Sequence, residues 1–260
     1  MVFKPPAVTA EEIVRTCKGK TTMKWDKLLV LGFLAGVYIA IGSQLAVTAA
    51  AGQQLPGIQK LIFGAVFPVG LMLVVIAGSE LFTGNTMLPT MACLQKEAKW
   101  LGLLKNWAGS YIGNFAGAVF AAYFLAVATG LFMKEPWLSY ITSIAQAKCN
   151  LSFMQAFWRG VGCNWLVCLA IWMAMSSEDI VGKIFAIQFP IMAFVAIGFE
   201  HCVANMFFIP AGIFANHAVS WGTFLWRNLL PVTLGNIVGG TLFVGIIYWW
   251  VYLRPKKESA

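Results

Sequence analysis

Charge is scarce in this sequence. Only 11% of its 260 residues are Asp, Glu, Lys or Arg, and only 2 are histidine, whereas 60% are apolar. A soluble domain carries roughly 25% charged and at most about 50% apolar residues, so an ordinary soluble core is excluded. The mean hydropathy of +0.77 points to a polytopic membrane protein. Metal motifs are also lacking. Cys17, Cys93, Cys149, Cys163, Cys168 and Cys202 form no CxxC pair and have no zinc-like spacing to histidine. We read them as small apolar residues and expect no metal and no cofactor. The two histidines, His201 and His217, lie sixteen residues apart, but no attachment signal supports a haem, so an electron carrier or membrane enzyme is disfavoured. No secretory signal peptide is read, because residues 1–27 are polar and basic and the apolar stretch that follows is long enough to span. The net charge of +8 would suit nucleic acid. The basic residues, however, sit at the ends of apolar stretches, where they act as topology signals and headgroup contacts.

Six hydrophobic stretches stand out, at about 27–50, 58–92, 105–132, 153–176, 184–216 and 228–252. The expected layout is a cytoplasmic N-terminal segment over 1–26, a six-span channel domain over 27–253 and a cytoplasmic tail over 254–260. Residues 7–17 can form a short helix after Pro5-Pro6. With both termini cytoplasmic, thirteen of the 18 Lys and Arg residues fall on inner segments and five on outer ones, as the positive-inside rule requires. The location predicted is the cell membrane, with multiple spans.

The second and fifth stretches are too long for one helix. They carry Ser79-Glu-Leu-Phe-Thr-Gly-Asn85 and Phe199-Glu-His-Cys-Val-Ala-Asn205, and each then meets a proline, Pro89 or Pro210. Proline removes a backbone donor and disfavours helix just before it, so both stretches are predicted to be broken helices. Non-helical backbone survives at membrane depth only when buried in protein or lining a cavity. Glu80 and Glu200 lie 120 residues apart. Asn106, Gly113, Asn114 and Gly117 recur 122 residues on as Asn228, Gly235, Asn236 and Gly239. Two signatures in one order and at one offset mark an internal repeat, about 27–132 and 153–252. Three spans per copy make the repeats inverted, with their breaks face to face near the midplane. The fold class expected is an all-α, aquaporin-like six-helix bundle. Small residues at Gly32-x3-Gly36, Gly109-x3-Gly113-x3-Gly117 and Gly235-x3-Gly239 favour close helix packing.

A buried carboxylate is expensive, and a duplicated one is rarely accidental. The structural reading is that Glu80 and Glu200 accept bonds from backbone N–H groups freed at each break; the alternative is a proton relay. His201 has Leu81 as its counterpart, so it breaks the repeat symmetry inside an unwound segment, and a functional role is expected. His217 is assigned to a loop. Thr83 can hydrogen-bond His201 or a passing anion, or cap its own backbone. Phe67, Leu71, Phe82 and Phe194 lie near the breaks, either as packing residues or as apolar constrictions. Lys148, Arg159 and Asn164 sit on or near the fourth span, where basic residues either raise the local anion concentration or remain solvated.

These segments resemble the formate/nitrite transporter family. The resemblance rests on Glu80-Leu-Phe-Thr83, Asn164-Trp-Leu-Val-Cys-Leu-Ala-Ile-Trp-Met173, Gly198-Phe-Glu-His-Cys-Val-Ala-Asn205-Met and Pro231-Val-Thr-Leu-Gly-Asn236-Ile-Val-Gly-Gly240, and runs from about Trp25 to Leu253. It implies a homopentamer in the lipid bilayer with one pore per subunit, conducting formate or a similar small anion and coupled to protons. It further implies that His201 is the pore histidine and Thr83 the loop threonine. Phe67, Leu71, Phe82 and Phe194 become constrictions, Lys148 and Asn164 line the approach, and Asn236 matches a family asparagine. Glu80, Glu200, Asn85 and Asn205 remain structural polar groups at the breaks. One departure is Gly84-Asn85-Thr86, where some formate channels carry serine or threonine. Nitrite and hydrosulfide are the alternative substrates. A water- or glycerol-type channel is less favoured, because no Asn-Pro-Ala motif is present.

A bare carboxylate crossing an apolar constriction loses several kcal/mol of solvation. Moving a proton from imidazolium to formate costs roughly 4 kcal/mol in water, and a low-dielectric site that disfavours the ion pair can cancel it. The expectation is that formate takes a proton at or near His201 and crosses as formic acid. The rival is that the anion crosses unprotonated, with His201 only offering a hydrogen bond.

Overall fold

The computed structural model describes residues 3–254. Most of the expected tail, including Lys256 and Lys257, lies outside the described residues. Helices account for the described fold. Helix α1 covers Pro6–Thr22, longer than the 7–17 expected. The six spans are α2 (Trp25–Ala50), α3 (Pro56–Gly78), α6 (Trp100–Val127), α8 (Phe153–Ser176), α9 (Ile180–Ile197) and α11 (Trp221–Tyr252). The short helices α4 (Phe82–Asn85) and α5 (Leu88–Leu94) complete the second stretch, α7 (Trp137–Cys149) precedes the fourth, and α10 (Cys202–Asn216) completes the fifth. Outward-facing Ile112, Phe124, Phe185, Phe189 and Trp226 are exposed, as a surface solvated by acyl chains rather than water permits.

Both expected breaks are present, but their cause differs from the expectation. The chain leaves α3 at Gly78 (φ +87°) and α9 at Gly198 (φ +93°), a left-handed conformation that glycine adopts without a Cβ penalty. The prolines do not break the helices. Pro89 sits in the first turn of α5, where its missing donor would have been unpaired anyway. Pro210 lies inside α10, and Pro190 inside α9. Packed neighbours can satisfy the carbonyl that a proline frees, so the helix persists.

The repeat governs the packing. Helix α2 packs on α6 and α8 packs on α11 as equivalent pairs. A Cβ on Gly117 would overlap the Phe33 carbonyl oxygen, and one on Gly239 the Val161 carbonyl oxygen. These crossings therefore bring backbone against backbone. The long polar-flanked helices α1 and α7 belong to the repeat too, since each sends a lysine to a loop glutamate (Lys20 and Lys148). Helix α1 lies across one mouth of the bundle. The Lys4 amide donates to the Ser176 carbonyl oxygen at 2.9 Å, and Lys4 Nζ reaches Glu12 at 2.7 Å and Glu178 at 3.7 Å. At the centre, every residue of α10 from Cys202 to Ile213 is buried.

Candidate functional site

The two breaks meet in the core. Their backbone is fixed by a duplicated set of side chains. In the first repeat, Asn114 Oδ1 accepts the Phe82 amide at 2.9 Å, while its Nδ2 donates to the Gly32 and Glu80 carbonyl oxygens. In the second, Asn236 Oδ1 accepts the Cys202 amide at 2.9 Å, and its Nδ2 donates to the Gly160 and Glu200 carbonyl oxygens. One amide side chain thus supplies both the donor and the acceptor that the unwound backbone lacks, which burial demands.

The glutamates are held by side chains. The expectation that freed backbone N–H groups would bind their carboxylates is corrected here, because asparagines have already taken those amides. Glu80 accepts from Lys20 Nζ (2.6 Å), Asn85 Nδ2 (2.8 Å) and Asn106 Nδ2 (3.3 Å). Glu200 accepts from Lys148 Nζ (2.9 Å), Asn205 Nδ2 (2.6 Å) and Asn228 Nδ2 (3.3 Å). The lysine-facing carboxylates are almost fully buried. A cation plus two amide donors is what a buried carboxylate needs to stay ionised.

His201 caps α10. Its Nδ1 accepts the Ala204 amide at 3.0 Å, and its Nε2 lies 2.9 Å from Thr83 Oγ1. A backbone amide can only donate, so Nδ1 must hold a lone pair. The neutral ring therefore carries its proton on Nε2, which points at Thr83. Thr83 thus touches His201 across the two repeats, and the loop is braced from behind by Asn164. The Asn164 amide donates to the Thr83 carbonyl oxygen (3.1 Å), Thr86 Oγ1 (2.8 Å) and the Asn236 carbonyl oxygen (2.6 Å). It is fully buried. The Thr86 hydroxyl, not that of Thr83, satisfies the loop carbonyl of residue 83, at 2.7 Å.

A cavity of about 80 Å³ opens beside His201 on the α7 side, lined by Lys148, Glu200, Asn205, Phe67, Phe194 and Phe208 among others. Phe67 and Phe194 meet edge to face at 5.9 Å, and Phe194 stacks on His201 at 6.1 Å. Lys148 Nζ stands 5.4 Å from the Phe208 ring centre. A wider cavity adjoins it, reaching Lys60 and Arg159. Phe82 lies elsewhere, against Tyr111 and Trp107, and Leu71 is buried. His217 ends α10 in a left-handed conformation, away from this cluster.

Sequence reasoning missed Lys20. Its signal is faint: Lys20 and Lys148 are 128 residues apart, as are Gly32 and Gly160, whereas the glutamates are 120 apart. The differing offsets of successive elements hide the match. Asn106, Asn114 and Asn228 were visible as a repeated signature without a role.

A profile described as Formate/nitrite transporter matches residues 7–250. The chain is 53% identical over 270 aligned residues to a probable formate transporter of Methanothermobacter thermautotrophicus, covering 97% of this chain and 98% of that protein. Among solved structures, an FNT family ion channel superposes with a TM-score of 0.88 at 34% identity, covering 94% of this chain and 98% of the other. A pentameric formate channel with formate bound superposes with a TM-score of 0.78 at 36% identity, covering 88% and 98%.

Proposed function

The chain belongs to the formate/nitrite transporter family, and from that premise we propose that it is a homopentameric membrane channel for small monovalent anions, formate foremost. Both termini face the cytoplasm, the 1–26 segment covers the inner mouth, and residues 27–253 form the channel. The cavity beside His201 carries this reading: Lys148 at its mouth, a hydrogen-bonding histidine at its floor and phenylalanine rings for walls.

The chemistry follows from solvation. Lys148 raises the local anion concentration. Between the Phe67 and Phe194 rings water is lost, which disfavours a carboxylate ion and raises the pKa of the entering acid. Formate therefore takes a proton from water in the cavity and passes the rings as formic acid. His201 meets it as an Nε2–H donor, and Thr83 Oγ1 keeps its own hydroxyl hydrogen for a passing oxygen. The bond from the Ala204 amide to Nδ1 favours this donor role over the expected proton transfer from His201, which would need an imidazolium. Lys20 and Glu80 repeat the arrangement on the inner side.

Proteoliposomes provide the test. Formate uptake should rise as pH falls and should exceed glycerol uptake. His201→Phe should lower the formate rate yet leave the shape of its pH profile unchanged. A profile that flattens in His201→Phe would restore proton transfer by the histidine. Formate uptake no faster than in protein-free liposomes would sink the channel reading.

A further inference from the structure

The two repeats differ in bulk beside their loops. In the first, the Phe82 ring packs edge-on against Tyr111 (4.9 Å, 77°) and Trp107 (6.2 Å, 78°). The repeat-related positions in the second are Cys202, Leu229 and Thr233. An aromatic trio on one side thus faces a small, aliphatic trio on the other.

Tyr111 and Thr233 are each other's counterparts, 122 residues apart like Asn114 and Asn236. Their hydroxyls are 2.9 Å apart. Two positions exchanged by a two-fold can touch only on or beside its axis. This bond therefore joins α6 to α11 across the pseudo-two-fold. Its effect runs along a short chain of contacts: Thr233 holds the Tyr111 ring by its hydroxyl, the Tyr111 ring walls the Phe82 ring, and Phe82 directly precedes Thr83, the partner of His201. The Phe82 ring is 3% exposed and can swing only if Tyr111 yields.

We propose that Tyr111, anchored by Thr233, is a positioning residue that fixes the Phe82 ring and so sets the largest solute the pore passes. The inference rests on the channel reading above.

The test uses the full chain in proteoliposomes and compares formate with lactate uptake. Tyr111→Phe deletes only the hydroxyl, and Thr233→Val removes its partner with little change in volume. Each should lower the formate-to-lactate ratio by between about twofold and tenfold, the range one net hydrogen bond supplies. Thr233→Ser, which keeps a hydroxyl, should hold the wild-type ratio. The Tyr111→Phe/Thr233→Val double variant should match either single variant, because one bond can be lost only once. Hydrogen exchange of the 79–87 backbone should quicken in both single variants, a readout that needs no transport. A ratio and an exchange rate that both stay at wild type would overturn the proposal, as would effects that multiply in the double variant. An equal fall in both uptakes at unchanged ratio would reduce Tyr111 to a packing residue. If wild-type protein carries no formate, the channel reading fails and the exchange arm alone decides the anchoring of Phe82.

Discussion

Lys20 and Lys148 do the same work at opposite ends of the bundle. Each meets a glutamate that is about 5% exposed and keeps about a fifth of its own surface open. Removing one partner of a buried ion pair leaves the other charge unpaired, at a cost of about 3–5 kcal/mol. Lys20→Met and Lys148→Met should therefore destabilise the detergent-solubilised protein comparably, read as a lower Tm. Adding Glu80→Gln or Glu200→Gln to the matching lysine variant should recover much of the loss. A Lys20→Met protein that melts at the wild-type temperature would show that Glu80 needs no cation. Transport should separate the two lysines from His201, whose substitution leaves both carboxylates paired.

The elements are shaped by a few backbone positions. Gly198 ends α9 at φ +93° with nothing within 4 Å of its missing Cβ, so conformation alone demands glycine there. Gly198→Ala should cost about 1–2 kcal/mol, the penalty of a left-handed residue that bears a Cβ, again read as Tm. A cost near zero would mean that the break can re-form with another geometry. Helix α1 depends instead on charge. The hydrogen bond from Lys4 draws the Glu12 carboxyl below the usual carboxylate range. A carboxylate with a depressed pKa contributes stability that is present above its unfolded pKa and is lost as pH falls through the depressed value. The seating of α1 should therefore weaken on the acid side only. Proteolysis at the exposed Arg15 and Lys18, compared between neutral and acidic buffer, checks this. Glu12→Gln should remove the pH dependence. Faster cleavage toward alkaline pH would contradict the assignment.

For the molecule as a whole, orientation is a matter of where the basic residues lie. All six cysteines are buried, so single engineered cysteines can be labelled over a quiet background. Lys24→Cys and Lys134→Cys sit on opposite faces of the bundle, and both native side chains are exposed. In intact cells a membrane-impermeant maleimide should label Lys134→Cys and spare Lys24→Cys. The reverse pattern would invert the topology and place α7, with its lysine-rimmed cavity, on the inside. The proposed assembly should appear in native mass spectrometry as five copies of the 28.4 kDa chain.

Much of this was legible in the sequence. Six spans, two broken stretches and the inverted repeat follow from hydropathy and from the recurrence of Glu80/Glu200 and Asn114/Asn236, because a bilayer forbids unsatisfied backbone and leaves few ways to bury it. The symmetry break at His201 is equally a fact of the linear chain. What needed the tertiary structure was the identity of partners. That Lys20 belongs to Glu80, that asparagine rather than carboxylate binds the freed amides, that glycine and not proline ends the half-helices, and that Tyr111 meets Thr233 all depend on contacts between residues 20 to 122 positions apart. Sequence sets which residues must be buried, since burial follows from the solvation of each side chain. Only the fold decides which of them satisfy one another, because a hydrogen bond is settled within about 3 Å and the spacing along the chain does not specify that distance.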